Sequence, residues 1–456
     1  MKRREMLRLF PFTAAGIAGI YDSALAFGGP EKHGGKLASP DAMTYIDTVI
    51  EMLTWIRENQ AENILEAAYA VARTARNGRT CWSHWDQGHT ASADTFEGRE
   101  GFPQIMETGY DVKKSKKGDM VLASFADGSE MIEDIAKKDI FMVGGPSPVS
   151  GDCLEAYNNI KNVRESRFRP NADIWIETRI TSTGAVVQVP GSPAPLGPVS
   201  GPIYLTILWA ILADASRVLS IEGEKVTVSG DSPKLKGDGV KWVSLADPLT
   251  DNLFATVIRQ MKLLGSERGQ MRILAEKAAA TLVSGGSVYG YSRREESIAT
   301  EWYHRRGGFG FPKMAHEGNI EGESGDMVIM GITEPDNPVD LKSMKAFRER
   351  GMKIASIGPV TDGGIPDGDT VPKLSDVHVG RSYDTQGIFA IPGIDRKVCP
   401  TSGIMNVTAL WAASVEIAMA LIRNTGNTPG IHYSGSLLWG GEHNGQMRQI
   451  LNERGY

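Results

Sequence analysis

The sequence predicts an α/β protein built as two tandem, doubly wound, three-layer α/β/α domains, each on a parallel sheet. Three observations predict it. The stretch 78–121 returns 207 positions later as 285–328, without a gap. This sets Gly78 on Gly285, Gly101-Phe102 on Gly308-Phe309, and Gly118-Asp119-Met120-Val121 on Gly325-Asp326-Met327-Val328. A second echo, 202 positions on, sets Pro198, Ser200-Gly201, Thr206 and Leu208-Trp209-Ala210 on Pro400, Ser402-Gly403, Thr408 and Leu410-Trp411-Ala412. Spacings this close mark one duplicated unit of about two hundred residues, far longer than a solenoid repeat. Within each copy, short apolar runs alternate with helical periodicity, the pattern of a parallel sheet wound on both sides.

Taken in order, 41–59 carries Ile46, Ile50, Leu53 and Ile56 on one helical face, and 62–76 predicts a second helix that Asn77-Gly78 stops. A strand at 80–82, with its twin at 287–289, leads into the loop 83–90 and a helix through Phe96. A second strand follows at 120–124, then the loop 125–129, a helix at 130–138 and a third strand at 140–143 matched by 353–357. The fourth strand is 172–176, matched by 375–379, and 185–189 is a candidate fifth. Each unit closes with an apolar helix, 203–219 and 404–422, opening on Pro-x-Ser-Gly where Ser200 and Ser402 can cap. The expected domains are 41–220 and 250–424, joined by a polar segment 221–249 and followed by a tail, 425–456, with no counterpart in the first unit.

The composition excludes several classes. With 41% hydrophobic and 23% charged residues the chain is neither disordered nor fibrous. A net charge of -6 without a long basic run argues against nucleic acid as a partner. Cys81, Cys153 and Cys399 are too few and too scattered for a disulfide framework or a zinc ribbon. Lys2-Arg3-Arg4, an apolar stretch 9–20 and Ala24-Leu25-Ala26 resemble a twin-arginine export signal at 1–26, followed by a flexible linker at 27–40. The expected location is therefore periplasmic or otherwise extracytoplasmic. No later segment has 18 uninterrupted apolar residues, so no stable membrane insertion is expected once the signal is removed.

The order of parts resembles the SIS (sugar isomerase) domain, here twice, over about 60–220 and 265–423. The residues that carry the resemblance are the hydroxyl-bearing loops, Gly118-Asp119-Met120-Val121-Leu122-Ala123-Ser124, Ala172-Asp173, Ser375-Asp376 and the late Pro-x-Ser-Gly helices. It implies a flavodoxin-like five-stranded parallel sheet that binds phosphosugars at the carboxyl ends of its strands. The chain departs from the family's Gly-x-Gly-Ser first loop with Ser83-His84-Trp85 through Gly88-His89-Thr90. It departs from Ser-x-Ser-Gly-x-Thr with Ser124 through Ser129, keeping Ser124, Gly128 and Ser129 but placing Asp127 among them. The second copy reads Gly331-Ile332-Thr333-Glu334-Pro335-Asp336, whose acids would repel a phosphate.

A phosphosugar site needs backbone N–H groups at a helix start, together with hydroxyls. Ser83, Gly88, Thr90 and Ser92 can line one side and Ser124, Asp127, Gly128 and Ser129 the other, although Gly and Ser also serve ordinary turns. Isomerisation through an enediol needs a base, for which Glu97, His89 and His84 are candidates in the first copy. Glu301 and His304 are those of the second, with a solvated helix face as the plainer reading of both glutamates. Arg293 and Arg294, near Ser297, can grip an acidic group, while Ser292 with Glu295 reads equally as a capping box. Asp214 and Glu416 sit at equivalent places in the apolar helices, where a carboxylate requires a partner. Glu442-His443-Asn444 reads as surface tail, or as a segment reaching over a site. The expected partner is a small sugar derivative, bound with isomerisation or merely sensed. No cofactor is expected. A metal hydrolase using His84 and His89 with Asp86 or Cys81 is a distant third reading. SIS folds commonly pair, so the units can pair within one chain, and a homo-oligomer is a further expectation.

Overall fold

The computed structural model describes residues 39–456, except 86–90, 92–93, 96–97, 125–128, 147–171, 182, 231–233, 237–239, 294–297, 304, 319, 361–367, 382 and 434–439, and except the side chains of 129 and 130. The chain enters the described region on a helix, Ala42–Arg76, that runs unbroken for 35 residues. Two helices are predicted there, but 42–76 contains no Gly or Pro to separate them. A capping box starts the helix: Asp41 accepts from the Thr44 N–H at 3.0 Å and the Asp41 N–H donates to the Thr44 hydroxyl at 3.1 Å. Gly78, at φ +63°, ends it, and the Arg79 N–H returns to the Thr74 carbonyl at 3.1 Å. In the second half the same path is split into Thr250–Leu264, a 3-10 turn Gly265–Glu267 and Arg268–Val283.

Two five-stranded sheets follow, both fully parallel. The first has the order β2-β1-β3-β4-β5, from β1 (Cys81–His84), β2 (Glu107–Thr108), β3 (Met120–Ala123), β4 (Phe141–Gly144) and β5 (Ile174–Trp175). The second has the order β12-β11-β10-β8-β9, from β8 (Val288–Tyr291), β9 (Lys313–Ala315), β10 (Met327–Gly331), β11 (Lys353–Ile357) and β12 (Val377–Val379). Numbered within each half, both read 2-1-3-4-5, the flavodoxin-like winding. The chain is thus an α/β protein of two doubly wound halves. β3 and β10 are buried along their whole length, as strands covered on both faces must be. Residues 185–189 are not the fifth strand. β6 (Ala185–Val187) instead pairs antiparallel with β7 (Leu196–Pro198) outside the sheet, and the fifth place belongs to β2 at the edge.

The repeated acids have structural work. Asp119 accepts from the Thr80 N–H, the Trp82 indole and the Lys116 N–H, and its twin Asp326 accepts from the Ser287 and Glu323 N–H groups. Asp173 and Asp376 each accept from a backbone N–H of the neighbouring strand, that of Met142 at 2.8 Å and that of Ile354 at 2.7 Å. These carboxylates pin strand register, since a buried N–H needs an acceptor.

The closing helices, Ser200–Ile221 and Ser402–Thr425, are buried almost all round. Both are long and apolar enough to cross a membrane by length and composition, yet 94% and 100% of their apolar windows lie against protein. Ser200 and Ser402 do not cap them; Val199 and Thr401 stand at the cap positions without side-chain bonds. Each serine instead accepts from an arginine of the opposite half. Arg99 donates to Ser402 at 2.9 Å, and Arg305 donates to Ser200.

That exchange is repeated by the backbone. The Cys399 N–H bonds the Gly101 carbonyl at 3.2 Å, and the Gly197 N–H bonds the Gly307 carbonyl at 2.9 Å. Gly101 and Gly307 share φ +74°, and each packs on the proline of the opposite Pro-x-Ser-Gly. Gly101 therefore matches Gly307, not Gly308, so the gap-free alignment is off by one residue here. One short piece of the tail has a counterpart that the repeat did not reveal. Thr227 and Ser229 bond residues 101–104 of the first half as Gly430 and His432 bond residues 307–310 of the second. His443 and Asn444 then fasten the last helix, Gly440–Arg454, to Ile431 and Tyr433.

One packing detail has a pH consequence. His378 on β12 holds the Ser356 hydroxyl at 2.8 Å from Nδ1. Burial lowers its pKa to about 4, against a smaller opposing effect of the Gly358 carbonyl. The folded chain thus resists a proton that the unfolded chain accepts below about pH 6.5. Stability is full above that pH and falls by roughly 3 kcal/mol as pH drops to about 4. Denaturant melts across pH 4–7 should show this acid limb, and His378→Gln should make it shallower.

Candidate functional site

The carboxyl edge of the first sheet gathers part of the predicted site. β1 and β3 are neighbours, with Ser83 paired to Leu122 and His84 to Ala123, so the loops after His84 and Ala123 leave from one edge. Ser83, His84 and Ser124 are there, each at least nine-tenths buried. The Ser83 hydroxyl, on a residue 1% exposed, finds no hydrogen-bond partner among the described residues. Trp85, fully buried, packs edge-on to Tyr204 with ring centroids 5.5 Å apart, and Gly145 closes on it where a Cβ would lie 2.7 Å from the indole. The Tyr204 hydroxyl donates to the Pro146 carbonyl beyond β4. The helix Ser129–Lys138 begins at this edge, one loop after Ser124.

Glu97, His89, Gly88, Thr90, Ser92, Asp127, Gly128, Arg294, Ser297 and His304 lie outside the described residues, as do Asp86 and the side chain of Ser129. Side chains alternate along β1, and Cys81 joins the core of helix Ala42–Arg76 while Trp82 joins that of Ser129–Lys138. Cys81 and His84 therefore face opposite sides of the sheet and cannot share a metal. Burial pushes the Cys81 thiol well up. Among the described residues no three His, Cys, Asp or Glu side chains gather as metal ligands.

The second half's equivalent edge is filled by its own charges. Arg293, two residues past β8, donates to the Thr333 hydroxyl at 2.8 Å and pairs with Asp340 at 3.2 Å. Asp340 is fully buried in the first turn of helix Pro338–Glu349. The Tyr291 hydroxyl reaches Asp340 at 3.5 Å and donates to the Ser343 hydroxyl at 2.8 Å. The Asn337 side chain caps that helix, accepting from the N–H groups of Val339 and Asp340, and is itself held by Glu334.

Between the halves lie two buried clusters whose composition sequence reading missed. In one, Asp94 (0% exposed) pairs with Arg99 (2%) at 2.7 Å, and Gly403 of the opposite helix start leaves room for the carboxylate. In the other, Glu301 is fully buried, not on a solvated face; it pairs with Arg305 at 3.3 Å and accepts from the Trp411 indole at 3.1 Å. Tyr45 lies beside this pair, donating to the Pro198 carbonyl at 2.8 Å, and its hydroxyl is pushed well up by burial, then by Glu301, with Arg305 opposing. Asp94 and Glu301 are 207 positions apart, so the repeat itself was a signal. Their arginines escaped it because the halves differ by one residue there.

No protein-family model matches the chain, and no curated protein matches it. Solved structures do. A proposed phosphosugar isomerase from Silicibacter pomeroyi is similar at 8% identity and TM-score 0.47, over 86% of this chain and 100% of its own. Another, from Clostridium difficile 630, is similar at 9% identity and TM-score 0.47, over 86% of this chain and 95% of its own. The C-terminal domain of a glucosamine-fructose-6-phosphate aminotransferase from Francisella tularensis is similar at 10% identity and TM-score 0.41, over 83% and 98%. At such values these likenesses carry no argument about ligand or activity. The fold rests on the strand order and registers above.

Proposed function

We propose that the chain binds a carbohydrate derivative, a phosphosugar or amino-sugar, at the carboxyl edge of the first half's sheet. The observation that carries this reading is the Ser83 hydroxyl, buried and unbonded among the described residues, at the edge shared with Ser124. Open α/β sheets bind ligands at that edge, and a helix starting there favours an acidic group. The second half, with its helix capped by Asn337 and Arg293 neutralised by Asp340, is unsuited to the same task. One ligand per chain follows. A panel of hexose and hexosamine phosphates, with their unphosphorylated forms, should include one that raises the melting temperature, because a ligand of the folded state stabilises by mass action. Ser83→Ala should weaken that ligand about tenfold, the usual worth of a hydrogen bond to a charged group.

Within this reading, aldose–ketose isomerisation is the enzymatic form; His84, on the other sheet face from Ser83, can serve as its base only over the strand end where the two faces meet. Proton exchange at the sugar's C2 in heavy water marks the enzyme; stabilisation without exchange marks a binding or sensing protein. We further propose export to the periplasm through Arg3-Arg4. Changing both to Lys should hold the chain in the cytoplasm, and unchanged fractionation would contradict export by this route.

A further inference from the structure

We infer that Asp340 is a built-in anion: it occupies in the second half the place that a ligand's acidic group takes in the first, and removing its charge opens an oxyanion site. This rests on the proposed first-half site only for the comparison, not for its geometry. Arg293 and Thr333 follow β8 and β10, which are adjacent strands paired Tyr291 to Met330, so both sit at the sheet's carboxyl edge. The helix Pro338–Glu349 begins there, and such a helix start favours a negative group. Asp340, in the first turn, supplies that group from within the chain. Its carboxylate lies 3.2 Å from the Arg293 guanidinium and within reach of the Tyr291 hydroxyl at 3.5 Å. Asp340 is fully buried and the Arg293 side chain is 14% exposed, so neither charge is satisfied by bulk water.

The repeat makes the substitution visible. The first half's helix starts at Ser129, directly after its loop, whereas the second half's starts at Pro338, behind Glu334, Asp336 and the Asn337 cap. At the gap-free offset Asp340 falls on Glu133, which is exposed. The buried acid is therefore particular to the second half. A carboxylate held against a guanidinium and a hydroxyl imitates the contacts of a bound phosphate. Losing it leaves a mostly buried guanidinium without this counter-charge, and a small oxyanion can replace it.

The test compares the full-length wild type, Asp340→Asn and Arg293→Met/Asp340→Asn in thermal melts, in inorganic phosphate and in chloride of matched ionic strength. Asp340→Asn should melt lower than wild type in chloride. Phosphate should raise it by about 5 °C more than it raises the wild type. The double variant, lacking the guanidinium, should show only the wild-type response. An Asp340→Asn response to phosphate no larger than that of wild type would overturn the inference, as would an excess response that survives loss of Arg293. Should Asp340→Asn fail to fold even in phosphate, the inference is equally overturned, since rescue by phosphate is what it requires. The wild type's own response to phosphate reports separately on the first-half site.

Discussion

Arg99→Ala should cost about 3–5 kcal/mol of stability, the range for stripping a buried charge of its partner. Asp94 is fully buried and its carboxylate is held by the Arg99 guanidinium at 2.7 Å. The same guanidinium crosses to Ser402, so the substitution loosens the contact between halves as well as the first half. Asp94→Leu/Arg99→Met, which removes both charges, should recover most of the loss, because an apolar pair avoids the desolvation cost. Denaturant titration of the full chain reads both. A loss under about 1 kcal/mol for Arg99→Ala would place the pair in the class of screened surface bridges and contradict its burial.

Asp214→Ala should be comparably severe, about 3–5 kcal/mol. Its carboxylate accepts from the Arg217 guanidinium, the N–H groups of Leu249 and Thr250, and the Thr250 hydroxyl, all at 2.7–2.9 Å. Leu249 and Thr250 begin the helix Thr250–Leu264, so one side chain of the first half anchors the start of the second. Glu416 reciprocates: it accepts from the Ala42 N–H at 3.1 Å, where the first half's long helix begins. Its arginines are farther, Arg272 at 3.5 Å and Arg268 at 3.8 Å, and both are exposed by more than a third. Glu416→Gln keeps an acceptor for Ala42 and should cost only about 1 kcal/mol. Equal losses for Asp214→Ala and Glu416→Gln would contradict this ordering.

The pairing of acids across the two copies was readable because the duplication is close to gap-free. Central strands were readable for a related reason: 120–123 is an apolar run buried along its whole length. The edge strands were not. Glu107–Thr108 is two exposed polar residues, and no pattern of burial marks it. Residues 185–187 are a short apolar run, which suits an antiparallel hairpin as well as a sheet strand, and only tertiary pairing decides. Pro-x-Ser-Gly reads locally as a helix cap. Its serines answer instead to arginines more than a hundred positions away, which local pattern cannot reveal.

For the candidate site, hydroxyl-bearing loops after β1 and β3 were legible, and their first residues do meet at one edge. The closure of the second half was only half legible. Glu334 and Asp336 were visible as acids in a loop, but the neutralising residue is Asp340, which looks like an ordinary acidic first turn until its burial is known. Arg293 likewise reads as a free grip on an anion, while its guanidinium is engaged by Thr333 and Asp340.

Calorimetric titration of the full chain with the sugar derivative that stabilises it most tests the central claim directly. One site per chain, weakened by Ser83→Ala and retained in Arg293→Met, is the predicted result. Two equivalent sites, no binding by any of the panel, or a single site lost with Arg293 and indifferent to Ser83 would contradict it.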